Sequence, residues 1–320
     1  MTGQMPPPPD PVRMTGEVTA DPGRLARGAA ASRWRRAPGT VEPFLAESRL
    51  NVAGVAIVAL VLLLALFGPL IAPQNPDQIN LFAVLQPPSV HHWFGTDNLG
   101  RDLFSRVLVG TRISVEVAVI ILSLSVLFGT ALGIVSGLAG GLLDEIVMRV
   151  TDLFLAFPGF ILAAAIAATL GPSLQHTVLA LAVVFWPWYT RLIRGQVLSL
   201  REREFILAAR VARAGTVWIA TRHVARNVLA ILVVQVSLDV GYAILATSSL
   251  SFLGLGAQPP SPEWGAIIAE GRSYIQTAWW WSTFAGIALA LTVLGFNLLG
   301  DGLRDWIDPR LRGSIGGLQE

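Results

Sequence analysis

The chain has 320 residues, 53% of them hydrophobic and only 14% charged, with mean hydropathy +0.60, which removes it from the ordinary soluble class. All 23 basic residues are arginine; without lysine no Walker A phosphate loop can be built, so any energy must come from a partner or a gradient. The absence of cysteine excludes disulfides, thiolate metal sites and thiol nucleophiles.

Residues 1–48 hold the run Pro6 to Pro9 and many arginines but few apolar residues able to form a core, and read as a disordered cytoplasmic tail. The apolar run 49–72 is long enough to cross about 30 Å of hydrocarbon. It starts too far from Met1 and runs too long for a signal peptide. Residues 73–112 form an external segment in which His91 and His92 are adjacent. Without a carboxylate or cysteine cluster at ligand spacing they read as loop histidines rather than metal ligands, and no metal site is expected.

The main transmembrane domain, 113–300, carries further spans at 113–139, 148–170, 177–196, 228–250 and 278–299. The expected fold is an all-α integral membrane protein with six transmembrane helices. Pro158 and Pro187 interrupt two spans and are expected to kink them. Gly129, Gly133 and Gly137 repeat every four residues, a stripe that permits close approach to another helix, in this chain or in a second one. Asp239 lies mid-span with Gln235 one turn before it and Tyr242 nearly one turn after. An ionised carboxylate there needs water or a partner, so it either faces an interior path or a helix interface, or is a protonated or hydrogen-bonded structural residue.

Arginine placement orients the chain: with 201–227 inside, nineteen of the 23 arginines lie on the inner side. The outer segments hold Arg101, Arg106, Arg112 and Arg272. The positive-inside rule then makes both termini cytoplasmic, including the tail 301–320. Trp279, Trp280 and Trp281 fall at the outer interface and read as an aromatic belt. The loop from Arg201 to Leu229 is polar, rich in helix formers and too long for a simple turn. Ile206, Ala209, Val217, Ile219 and Val224 suggest one or two short amphipathic helices outside the bilayer, either a solvated loop or a docking surface.

Four stretches, in order, carry a resemblance: Gly95, Thr96, Asp97, Gly100, Arg101, Asp102 and Arg106; Arg149, Asp152 and Pro158; SLSFLGLGAQPPSPEWG from Ser249 to Gly265; and GDGLRDWIDPR from Gly300 to Arg310. Over about residues 50–313 the chain resembles the second, C-type permease of bacterial dipeptide, oligopeptide and nickel ABC importers. The resemblance implies a type I importer permease fold in the bacterial cytoplasmic (inner) membrane, surrounded by lipid. It also implies a homologous second permease, two ATP-binding subunits or domains and an extracytoplasmic substrate-binding protein. ATP and Mg would be bound by the ATPase partners; this chain would carry no cofactor and no catalytic residue, and no nucleic acid is expected.

On this resemblance the loop looks like the cytoplasmic coupling element, with Ala208, Ala209, Arg210, Gly215, Arg222 and His223 as the ATPase-coupling residues. The family form has Glu-Ala-Ala, a Gly four residues after the second Ala, and a Pro before the next span. Here Leu207 replaces the Glu, Arg213 the Gly and Arg226 the Pro, while Gly215 lies two residues late; Arg222, His223 and Asn227 match. Asp97, Arg101, Gln258, Glu263 and Trp264 are candidate docking residues for the binding protein, and Gln235, Asp239 and Tyr242 candidate path residues. The implied function is one half of the translocation path of an ATP-driven importer of di- or oligopeptides, with nickel or another small solute in the same family as alternative. A gradient-driven secondary transporter using Asp239 as an ion site is a second class. A membrane enzyme is a third, lacking any nucleophile or acid–base constellation.

Overall fold

The computed structural model describes residues 48–307. Apart from Ser48, the expected disordered tail lies outside the described residues, as do residues 308–320 of the C-terminal tail with Asp308, Pro309 and Arg310.

Helix α1 (Arg49–Ile71) is capped by Ser48, whose hydroxyl accepts from the Leu50 N–H. At 1.5 Å per residue it is about 34 Å long and needs no polar face if lipid surrounds it. Helix α2 (Leu103–Ala139) starts at Leu103 rather than Ile113. Asp102 caps it by accepting from the Ser105 N–H at 2.8 Å, and its first turns bury Ser105, Arg106 and Thr111, polar residues that hydropathy alone places outside a span.

The expected kinked span 148–170 is corrected: α3 (Gly141–Leu155) and α4 (Gly159–Leu170) are separate helices bent by 86°. Pro158 caps α4, and because proline lacks an N–H and disfavours a helical residue before it, the chain breaks there instead of bending. Helix α5 (Leu174–Leu200), by contrast, continues through Pro187. The polar loop forms α6 (Glu204–Val211) and α7 (Thr216–Ile219), the latter running through a π-helical turn, Ala220–Val224, into α8 (Ala225–Phe252). Helices α9 (Trp264–Gly271) and α10 (Trp280–Ile307) complete the bundle.

Among the described residues four helical stretches are long and apolar enough to cross a membrane: α1, α2, Thr216–Phe252 and α10. The bent α3–α4 pair makes a fifth if taken as one span. Helix α5 is long enough, but Trp186 to Tyr189, Arg191 and Arg194 dilute its apolar character.

The glycine stripe seats α2 on α5 within this chain. A Cβ would lie 2.6 Å from Trp186 O at Gly129, 2.8 Å from Thr190 O at Gly133 and 2.7 Å from Val197 Cβ at Gly137. Between helices in lipid, such close approach replaces hydrophobic burial as the source of attraction. Helix α1 meets α10 in the same way, where a Cβ on Gly54 would lie 2.9 Å from Leu298 Cβ.

The aromatic belt is also corrected. Trp280 and Trp281 are buried, Trp280 Nε1 donating to Thr96 O at 3.3 Å and Trp281 stacking on Tyr274 at 5.1 Å; Trp279 is half exposed. The start of α10 turns inward because the loop ahead of α2 supplies a carbonyl to accept from it. His92 Nδ1 lies 3.0 Å from Asp102 Oδ1, and among the described residues no group of three or more His, Cys, Asp or Glu could hold a metal.

Candidate functional site

Three regions bring together the residues singled out in the sequence. At the end expected to face outward, Gly95 and Gly100 take φ of +74° and +69° and turn the chain back on itself. A Cβ on Gly100 would lie 1.8 Å from Asn80 O, so no other residue fits. Between them Asp97 accepts from the Leu99 and Arg101 N–H groups at 2.8 and 2.9 Å and from Arg101 Nε at 2.5 Å. Arg101 Nη2 donates to Glu270 Oε2 at 3.0 Å, and Arg106 Nη1 to the carbonyls of Pro76 and Pro260 at 3.2 and 3.3 Å.

From the opposite side Glu263 caps α9, accepting from the Ala266 N–H at 3.0 Å and the Ser248 hydroxyl at 2.7 Å. Trp264 Nε1 donates to Val107 O at 3.0 Å. The two motifs thus clamp each other, with Asp97, Arg101, Glu263 and Trp264 buried and Gln258 exposed. Burial holds the Glu270 carboxyl above the usual glutamate range, against the opposing pull of Arg106 and Arg101.

In the bundle, the Tyr189 hydroxyl donates to Asp239 Oδ2 at 2.6 Å and Gln235 Nε2 to Oδ1 at 3.0 Å. These three side chains, with Phe185, Trp188 and Tyr242, line a cavity of about 260 Å³. Tyr242 is half exposed and stacks on Phe185 at 5.4 Å. Gln235, Asp239 and Tyr242 therefore share one wall. Sequence reasoning missed Tyr189 and the aromatic wall of α5, since nothing local announces a partner fifty residues away. An adjoining cavity of about 610 Å³ shares Trp188 and Gln235 and extends past Asn227 to Arg304.

In the polar loop, Ala208 and Arg210 are exposed on α6, and Ala209 packs against the main core. Buried Ile206, Ile219 and Val224 anchor both short helices to that core, while Phe205, Leu207, Val211, Val217 and Trp218 remain exposed. Helix α6 ends in a Schellman motif: Ala214 N–H donates to Ala209 O and Arg213 N–H to Arg210 O. That motif requires a left-handed residue, and Arg213 supplies it at φ +60°. Gly215, at φ −65°, is an extended N-cap with no need to be glycine. Arg222 is exposed, and the His223 ring lies 4.9 Å from Trp218 and 5.7 Å from Phe205, joining the two helices.

The profile of the binding-protein-dependent transport system inner membrane component matches residues 129–313, and that of the N-terminal TM domain of oligopeptide transport permease C matches residues 45–88. A probable D,D-dipeptide transport system permease protein of Escherichia coli (strain K12) is 47% identical over 84% of this chain and 90% of its own length. The chain belongs to the C-type permeases of the dipeptide/oligopeptide/nickel ABC importer family. A dipeptide transport system permease protein of Alkalihalophilus pseudofirmus is 43% identical over 88% of this permease and 92% of its own length. A nickel transport system permease protein of Escherichia coli (strain K12) is 41% identical over 84% and 97%. The bundle is thus an all-α, multi-pass membrane permease fold of the type I ABC importers, and the chain is a transport subunit rather than an enzyme.

Proposed function

We propose that this permease forms half of the translocation path for di- or oligopeptides, driven by ATP hydrolysis in separate subunits. In this reading α5 and the α3–α4 pair complete six crossings, and both termini are cytoplasmic because the arginines concentrate on that side. The observation that carries it is the polar loop. Two short helices are pinned to the core by Ile206, Ile219 and Val224 yet carry Phe205, Leu207, Val211, Val217 and Trp218 on their exposed side. An apolar surface of this size on a charged loop fits a groove in a soluble partner, so closure of an ATPase dimer can move the ends of α5 and α8. Ala208, Ala209, Arg210, Gly215, Arg222 and His223 frame that contact.

On the outer side, Asp97, Arg101, Glu263 and Trp264 would hold the docking surface in shape from beneath, and exposed Gln258 would touch the delivery protein. Gln235, Asp239 and Tyr242 would line the path. A nickel complex is the second reading, motivated by the relative named as a nickel transport permease. The test is reconstitution of this chain with a homologous permease, two ATPase subunits and a binding protein in lipid vesicles. ATP-dependent accumulation of labelled dipeptide is expected. Accumulation of nickel but not peptide would select the second reading, and accumulation by this chain alone under an ion gradient would overturn both.

A further inference from the structure

Asp239 differs in its surroundings from Asp144 and Asp152, the bundle carboxylates paired with arginines of α5. Asp144 pairs with Arg194 at 2.6 Å and Asp152 with Arg191 at 2.5 Å. Among the described residues no cation lies within ion-pair distance of Asp239, which meets only two neutral donors, the Tyr189 hydroxyl and the Gln235 amide. The elements packed around its cavity add no charge: α4 contributes Gly159, α5 Val184, Phe185 and Trp188, and α8 Tyr242. Arg304 of α10 belongs to the adjoining cavity.

We propose that Asp239, held by Tyr189 and Gln235 and walled by Phe185, Trp188 and Tyr242, recognises a primary ammonium group on the solute in transit. This rests on the path reading above and adds the chemical class it selects. An incoming ammonium supplies the counter-charge that the two neutral donors lack, and the carboxylate has lone pairs left for its N–H groups. Aromatic faces attract the same cation without binding water strongly. A divalent metal would need several oxygen or nitrogen ligands, whereas this wall offers one carboxylate, one amide and phenols. One charge on a half-open wall makes a weak site, as conduction requires, since a tightly held solute would not leave.

The site can be tested without the delivery protein. In the assembled permease–ATPase complex in nanodiscs, dicyclohexylcarbodiimide modification of Asp239 is followed by peptide mass spectrometry. Glycyl-leucine at twice its dissociation constant should slow modification about threefold, and N-acetyl-glycyl-leucine should not. Equal protection by both peptides, or none by the free amine, overturns the proposal; protection by nickel chloride alone overturns it in favour of a metal site. In the complete importer, Asp239→Asn should raise the apparent KM for dipeptide uptake about tenfold, the size expected for one charge-assisted hydrogen bond. Asp239→Glu should restore part of that loss, which separates charge from folding. Unchanged uptake in Asp239→Asn overturns the ammonium site while leaving the importer reading intact. Protection by the free amine in a complex that takes up no peptide supports the site and overturns the importer reading instead.

Discussion

Arg101 Nη2 reaches Glu270 Oε2 at 3.0 Å across 169 positions of sequence, joining the loop ahead of α2 to the end of α9. Arg106, fully buried beside them, lies 3.6 Å from the same oxygen. Burial nevertheless dominates at Glu270 and holds its carboxyl above the ordinary 4.5. A carboxyl raised in the folded state binds its proton more tightly there than when unfolded. Its stabilising contribution is therefore complete below pH 4.5 and is lost as pH rises through the raised value. The thermal midpoint of the assembled complex, followed by tryptophan fluorescence, should fall across that window, and Glu270→Gln should flatten the slope. An identical slope in the variant would remove Glu270 from the account.

Gly133 sits at the middle of the glycine contact between α2 and α5. An added Cβ meets Thr190 O at 2.8 Å, Ile193 Cβ at 2.9 Å and Arg194 N at 3.0 Å, backbone on two sides, so no side chain can swing away. Gly133→Leu should destabilise the permease by about 1–3 kcal/mol, the range for overpacking a close contact, and lower the yield of assembled complex. Gly195, which has open space around it, is the control: Gly195→Ala should leave the yield unchanged. Equal yields for both variants would place the helix contact elsewhere.

Arg213→Gly should stabilise the loop. The left-handed conformation costs a residue with a Cβ about 1–2 kcal/mol and costs glycine almost nothing. Arg213 adopts it because the Schellman motif that closes α6 leaves no alternative at that position. Hydrogen exchange of the α6 amides in the complex should slow roughly fivefold or more for a gain of about 1 kcal/mol. Faster exchange in the variant would mean that the arginine side chain contributes more than the strain costs.

The glycine stripe and the apolar runs were legible in the sequence because each rests on local geometry. Gly129, Gly133 and Gly137 needed only the helical period to be placed on one face. What stayed hidden depends on distant chain. Trp280 looks like a belt residue until Thr96 O is brought within 3.3 Å of it. Asp97 and Glu263 look like surface acids until the turns at Gly95 and Gly100 fold one motif beneath the other. Pro158 and Pro187 carry the same ring constraint, yet one breaks its helix and the other lies within an unbroken one.

The proposed coupling surface yields the most direct test. Ala208 is exposed on α6, whereas Ala209 packs against the core that also holds Ile206, so changing both would mix lost contact with lost folding. Ala208→Arg alone adds bulk and charge to the outer face without touching the interior. Val211 is 86% exposed and Val217 77% exposed, and they extend that face toward α7. Val211→Asp should act in the same direction by placing a charge where an apolar groove would close. Neither variant should alter membrane insertion or pairing with the second permease, because neither residue contributes to the buried core. Each should reduce co-purification of the ATPase about tenfold, the loss typical when one central contact of an interface is spoiled, and lower solute-stimulated hydrolysis with it. If both variants retain the ATPase and its stimulation at normal levels, the exposed apolar side of α6 is not the contact. The force would then have to enter through another surface of the loop, with the joint of Phe205, Trp218 and His223 as the next place to look.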